Sequence, residues 1–81
     1  METRVAVIGI IVKETESAGR LNALLHEYGN YIIGRMGVPY QKRGINIVSI
    51  AIDAPNDVIS ALTGKIGRLP GVSVKAAYAP A

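Results

Sequence analysis

The chain has no cysteine, no phenylalanine and no tryptophan, and a single histidine among its 81 residues. Without cysteine there is no disulfide, no thiol nucleophile and no cysteine-held metal cluster. One histidine alone makes a poor case for a transition metal, so no metal or other cofactor is expected. Four tyrosines are the only aromatic residues, which leaves a core to be built from Val, Ile, Leu and Ala. Long apolar runs are missing too. The longest candidate, "VAVIGIIV", has eight residues, against the ~20 that a spanning helix needs. Glu2 precedes that run and Arg4 interrupts its start, so no signal peptide is visible. The reading is a cytoplasmic protein without membrane association.

What is present is aliphatic. Apolar residues make up 49% of the chain, yet a domain this short buries only roughly 60% of the surface its unfolded form exposes. One domain over residues 1–81 is the expectation, and a small aliphatic domain is a candidate for burying surface against a copy of itself. The formal charge is +3, from nine basic and six acidic residues in no single cluster. Such a balance is compatible with anionic partners and demonstrates none.

Residues 4–12, "RVAVIGIIV", read as a β-branched strand. Val5, Val7 and Ile11 point one way, and Ala6, Ile8, Ile10 and Val12 the other, so both faces are apolar. Thr15 or Ser17 is placed to cap a following helix, in which Ala18, Leu21, Leu25 and Tyr28 form one stripe and Gly29 a stop. Residues 30–39 and 45–53 read as two strands joined around "QKRG". "DAPND" opens a second helix, with Pro55 near its first turn and Asp53, Asn56 and Asp57 available as caps. Val58, Ile59, Leu62 and Ile66 supply its buried side. "GRLPG" ends it, and "VSVKAAY" alternates as a last strand before a tail over 78–81. The order β-α-β-β-α-β predicts an α+β ferredoxin-like sandwich, a four-stranded antiparallel sheet with both helices on one face. Right-handed crossovers put the first and third strands at its centre. The other face is left open, although the first strand is apolar there as well.

The stretch "GRMGVPYQKRG" at 34–44 is the candidate site. Glycines inside a strand weaken it unless a bulge or a closely approaching group needs the room. Strict alternation puts Ile32, Gly34, Met36 and Val38 toward the helices and sends Ile33, Arg35 and Gly37 to the open face. There a guanidinium can fork onto a carboxylate or phosphate, or meet a neighbouring subunit. Asn30, Gly34, Arg35, Gly37 and Tyr40 are the candidate ligand-binding residues. Tyr31, Ile33 and Arg35, with Val5, Val7 and Ile11, are the expected surface between subunits. The competing explanation is an edge-strand bulge carrying an arginine that discourages aggregation. His26 reads as an exposed helix histidine. "GKIGR" at 64–68 lacks the upstream glycine and the Ser or Thr of a phosphate loop. No nucleophile–histidine pair and no convergent carboxylates are visible, so no enzyme is expected.

The same fold plan serves unrelated tasks. An RNA-recognition domain stacks bases on strand aromatics, and neither "VAVIGIIV" nor "INIVSIAI" contains one. Nucleic-acid contact through Arg35, Lys42, Arg43, Arg68 and Lys75 rests on the basic balance alone, and direct binding is not expected.

Three blocks carry a resemblance over nearly the full length: "RVAVIGIIV", "LNALLHEYGNYIIGRMGVPY" and "DAPNDVISALTGKIGRLPGVSVK". In these the chain resembles the iron-only hydrogenase system regulators, grouped with ACT-like domains and with the C-terminal domain of the nickel-responsive repressor. The resemblance implies a βαββαβ protomer, a homodimer or tetramer, and a regulatory role near iron–iron hydrogenase assembly. ACT-like relatives bind amino acids or other small molecules at subunit seams, and by that analogy the "GRMG" strand and the start of the first helix would line a pocket; that its occupant is a small anionic effector is the expectation from Arg35. The repressor's nickel site needs several histidines and a cysteine, so it does not carry over. The repressor's separate DNA-binding domain has no counterpart here, which makes any transcriptional role depend on a partner. The alternative is a platform that binds a hydrogenase-system protein with no small molecule involved.

Overall fold

The computed structural model describes residues 2–80. Its elements run β1 (Arg4–Val12), α1 (Glu16–Glu27), a 3₁₀ turn (Gly29–Tyr31), β2 (Ile32–Tyr40), a second 3₁₀ turn (Gln41–Arg43), β3 (Ile45–Ala54), α2 (Asn56–Gly67) and β4 (Val72–Tyr78). All pairings are antiparallel in the order β2-β3-β1-β4, with β1 and β3 central. This is the ferredoxin-like βαββαβ arrangement that the order of apolar runs predicts.

The core lies between the sheet and the two helices. Ala6, Ile8, Ile10 and Val12 of β1 and Val48, Ile50, Ile52 and Ala54 of β3 are buried there. They pack against Leu21 and Leu25 of α1 and Ile59, Leu62 and Ile66 of α2. Alternation does this work: every second residue of a strand meets the helices, and spacings of three and four bring the helical stripes onto them. β4 adds Val72, Val74, Ala76 and Tyr78 at the core's margin.

Some ends differ from the sequence reading. Thr15 stands at the N-cap of α1 without a side-chain cap bond. Ser17 instead turns inward, where its buried Oγ donates to the Pro70 carbonyl at 2.6 Å and ties the helix start to the turn before β4. At α2, Pro55 is the N-cap residue, next to the first turn as the sequence reading has it. The Asp57 carboxylate accepts from the Val58 N–H at 3.1 Å, while Asp53 belongs to β3. Gly29 to Tyr31 form a tight turn, so β2 starts at Ile32 rather than at residue 30. β4 includes Tyr78, so the tail starts at Ala79 rather than at residue 78, and the Ala79 N–H donates to the Val5 carbonyl at 2.9 Å.

The larger correction is in β2. Ile32 pairs with Ile52, but Gly34, not Ile33, pairs with Ala51. Ile33 is an inserted bulge residue, and a one-residue insertion exchanges the faces of everything beyond it. Arg35 pairs with the buried Ile50 and Gly37 with Val48, so both lie on the helix side. Gly34, Met36, Val38 and Tyr40 lie on the open side, opposite Ala51, Ser49, Ile47 and Ile45.

Candidate functional site

β2 is an edge strand standing beside α1, and the space between them is a cleft. Leu21 and Leu25 anchor α1 in the core. Residues one position further along the same helix, Asn22 and His26, therefore face the edge strand. They sit four apart, on one side of the helix. The turn after α1 adds Gly29 and Asn30, and β2 adds Ile32 and Arg35. Together these line an open cleft of about 620 Å³, within the range common for small-molecule sites.

Arg35 reaches across its mouth. Its Nη2 donates to Asn22 Oδ1 at 3.0 Å, the guanidinium's one protein hydrogen bond among the described residues. The acceptor is a neutral amide and the contact is exposed, so the positive charge is not neutralised. Among the described residues no carboxylate lines the cleft. A guanidinium offers five N–H donors in a plane, and the Asn22 bond leaves most of them for an incoming oxyanion. His26 and the Asn30 amide border the same space.

Asn22 also borders a second, more apolar recess of about 250 Å³, lined by Val12, Ala18, Leu21, Gly37, Pro39 and Val48. A polar compartment with one uncompensated cation thus adjoins an apolar one along a single strand edge. A Cβ built at Gly34 or Gly37 meets nothing within 4 Å. The chain's own packing does not require glycine at either position.

The expected ligand residues are therefore divided. Arg35, Asn30 and Gly37 lie on the cleft side, while Gly34 and Tyr40 lie on the opposite face of the strand. Of the expected subunit surface, Val5 and Val7 are exposed on the open face and Ile11 is half-buried there. Tyr31 lies in the 3₁₀ turn, Ile33 is the bulge, and Arg35 has left that face. Asn22 escaped the sequence reading, and His26 was read there only as an exposed helix histidine, which it is. Their signal is present in the spacing of residues 22, 26 and 30, a polar row one step from the buried Leu21 and Leu25.

Among the described residues no three His, Cys, Asp or Glu side chains converge as a metal site. No helix is long and apolar enough to cross a membrane. On the far side of α1, Lys65 of α2 lies 3.6 Å from the Glu27 carboxylate and 5.1 Å from the centre of the Tyr28 ring. The Tyr28 hydroxyl chiefly raises the Lys65 ammonium above its ordinary 10.5; desolvation opposes it, and the Glu27 charge adds to the rise.

Comparison with known proteins agrees with this architecture. The chain is similar over 98% of its length to the whole of an uncharacterized protein, TM1266, of Thermotoga maritima, with 31% identity and a TM-score of 0.94. A formyltetrahydrofolate deformylase of Pseudomonas putida KT2440 shares the fold at a TM-score of 0.66 and 12% identity; the match takes in 94% of this chain and 29% of that one. A de novo designed protein, Foldit4, does so at 0.63 and 21% identity, with 99% of each chain covered. No curated protein matches the sequence. A family profile fits residues 4–76, which include both walls of the cleft, the bulge and the whole of β3. By that fit and by the full-length likeness to the Thermotoga protein, the chain belongs to the TM1266-like family, which carries the provisional description "iron-only hydrogenase system regulator".

Proposed function

We propose that this chain is a regulatory module of the iron-only hydrogenase system that responds to a small anion held in the cleft between α1 and β2. The observation that carries the reading is the bulge at Ile33. It turns Arg35 into a cleft with no carboxylate and one neutral partner, Asn22. An arginine left with free donors is suited to fork onto a carboxylate or phosphate. His26 and Asn30 are placed to complete the contacts, and the apolar recess beside Asn22 is placed to take an aliphatic part of the same molecule. Occupation would fix the edge strand against α1, a change that a protein partner can read.

The test is a thermal-shift screen with inorganic phosphate, acetate and a set of mono- and dicarboxylates, run on the intact chain and on Arg35→Ala. A ligand at ~100 times its dissociation constant adds roughly 2.7 kcal/mol of stability. The expected result is stabilisation of the intact chain by at least one anion and none of the variant. Equal stabilisation of both would remove Arg35 from the site, and no stabilisation of either would favour a protein-binding platform without a small molecule.

A further inference from the structure

The outer surface of the helical layer holds a feature that the effector reading does not use. Spacings of three and four put Arg20, Ala23, Leu24 and Glu27 on one side of α1. Opposite them stand Lys65 in the last turn of α2, Arg68 at its C-cap and Leu69 just beyond. An open groove of about 360 Å³ runs between the two sides. Its floor is aliphatic, since Leu24 and Leu69 pack on the core and remain half-exposed above it. Its rim is cationic. The Lys65 ammonium is engaged by Glu27 and by the Tyr28 ring, and Lys65–Glu27 is the one ion pair among the described residues. Arg20 and Arg68 are exposed and have neither an ion-pair nor a hydrogen-bond partner for their side chains there. The Arg68 guanidinium lies over Gly64, its Nη2 3.8 Å from the place a Cβ would take.

We propose that this groove docks a short acidic segment of a different protein, one that carries an aliphatic side chain between its carboxylates. The aliphatic side chain enters between Leu24 and Leu69 and leaves water there, as the buried anchor of an interface does. The flanking carboxylates meet the Arg20 and Arg68 guanidiniums, whose planar forks match them and which are more weakly hydrated than an ammonium. Charge complementarity chooses this occupant. Arg20, Lys65 and Arg68 face Glu27 alone, so the groove is net positive. The chain as a whole carries +3, which makes another copy of it a poor partner. Nucleic acid fits less well. No aromatic side chain lines the groove to stack a base, and Glu14 and Glu16 border the hollow beyond Arg20, which a long polyanion would have to cross. A membrane surface is matched by large exposed apolar side chains on a helix, and among the described residues none of these lies on α1 or α2. The groove shares no residue with the cleft around Arg35, so the proposal stands apart from the effector reading.

The test selects a displayed library of short random peptides on the intact chain, then titrates the enriched peptides, fluorescently labelled, by anisotropy. The expected result is enrichment of Asp and Glu around a Leu, Ile or Val. Those peptides should bind an Arg20→Glu/Arg68→Glu variant roughly tenfold or more weakly, and added salt should weaken their binding to the intact chain. Ala23→Glu, which sets a carboxylate on the α1 side of the groove, should weaken it too. Ala23 and both arginines are exposed, so circular dichroism of these variants should match the intact chain. Arg35→Ala should bind the peptides as the intact chain does. Selection that enriches no acidic peptides overturns the proposal. So does equal binding to the intact chain and the Arg20→Glu/Arg68→Glu variant, or loss of binding in Arg35→Ala, which would put the peptide in the cleft. A single-stranded DNA oligonucleotide that binds the intact chain and not the double variant would give the groove to nucleic acid and overturn it as well.

Discussion

At Arg35 a single side chain separates two effects that are usually confounded. Its bond to Asn22 is exposed and made to a neutral amide, so Arg35→Ala should change stability by less than ~0.5 kcal/mol while removing anion binding. Gly37 offers the complementary change. Nothing in the chain occupies the space a Cβ would take there, and alanine lowers the entropy lost on folding. Gly37→Ala is expected to stabilise the fold by up to ~0.5–1 kcal/mol and to weaken any effector in the recess it lines. Chemical denaturation and ligand titration on the same variant check both halves. Gly71 behaves in the opposite way. Its φ is +66° and a Cβ would fall 2.6 Å from the Glu14 Cγ and 3.1 Å from the Glu14 Cβ. Gly44, at φ +64°, has open space around it. Gly44→Ala should therefore cost about 1–2 kcal/mol for the left-handed backbone alone, and Gly71→Ala more, measured by urea midpoints.

Among the elements, β2 is the least held. Ile32 is its one residue with substantial burial, whereas β1 and β3 are paired on both sides and place their inward residues in the core. Amide exchange should be slowest in β1 and β3 and fastest in β2 beyond the bulge, and an effector in the cleft should slow β2 selectively. The contact between the helices depends on pH in a defined direction. Lys65 has its affinity for a proton raised in the folded state by Tyr28 and Glu27, so its contribution is present below the ordinary 10.5 and is lost as pH rises beyond it. Lys65→Met should differ slightly from the intact chain near neutral pH, and the difference should shrink above pH 10.5 in denaturation curves.

For the whole molecule, an 81-residue chain closes one face of its sheet with two helices and leaves the other apolar. If copies cover that face, folding and association are linked, and the melting temperature should rise with protein concentration. A melting temperature constant over a hundredfold dilution would argue for a protomer stable alone.

Element order, the central position of β1 and β3 and the inward residues of both helices were legible in the sequence. They follow from local periodicity: alternation over "RVAVIGIIV" and spacings of three and four from Leu21 to Leu25 and from Ile59 to Ile66 each have one low-energy arrangement. An irregularity at "GRMG" was legible too, because glycines inside a strand suggest a bulge, and β2 carries one at Ile33. The face on which Arg35 stands was not. Alternation carries a side assignment along a strand only while the register is unbroken, and the insertion of Ile33 is settled by pairing with β3, which lies far along the chain. Asn22 was hidden, and His26 read only as an exposed helix histidine, for the same reason, since a polar row on a helix becomes a wall only when a strand edge stands opposite. The sequence by itself determined which segments are helix and strand and what the core is made of, because those depend on neighbours along the chain. Only the tertiary structure decided which side chains share the cleft and which share the open face, because that depends on one register shift between strands.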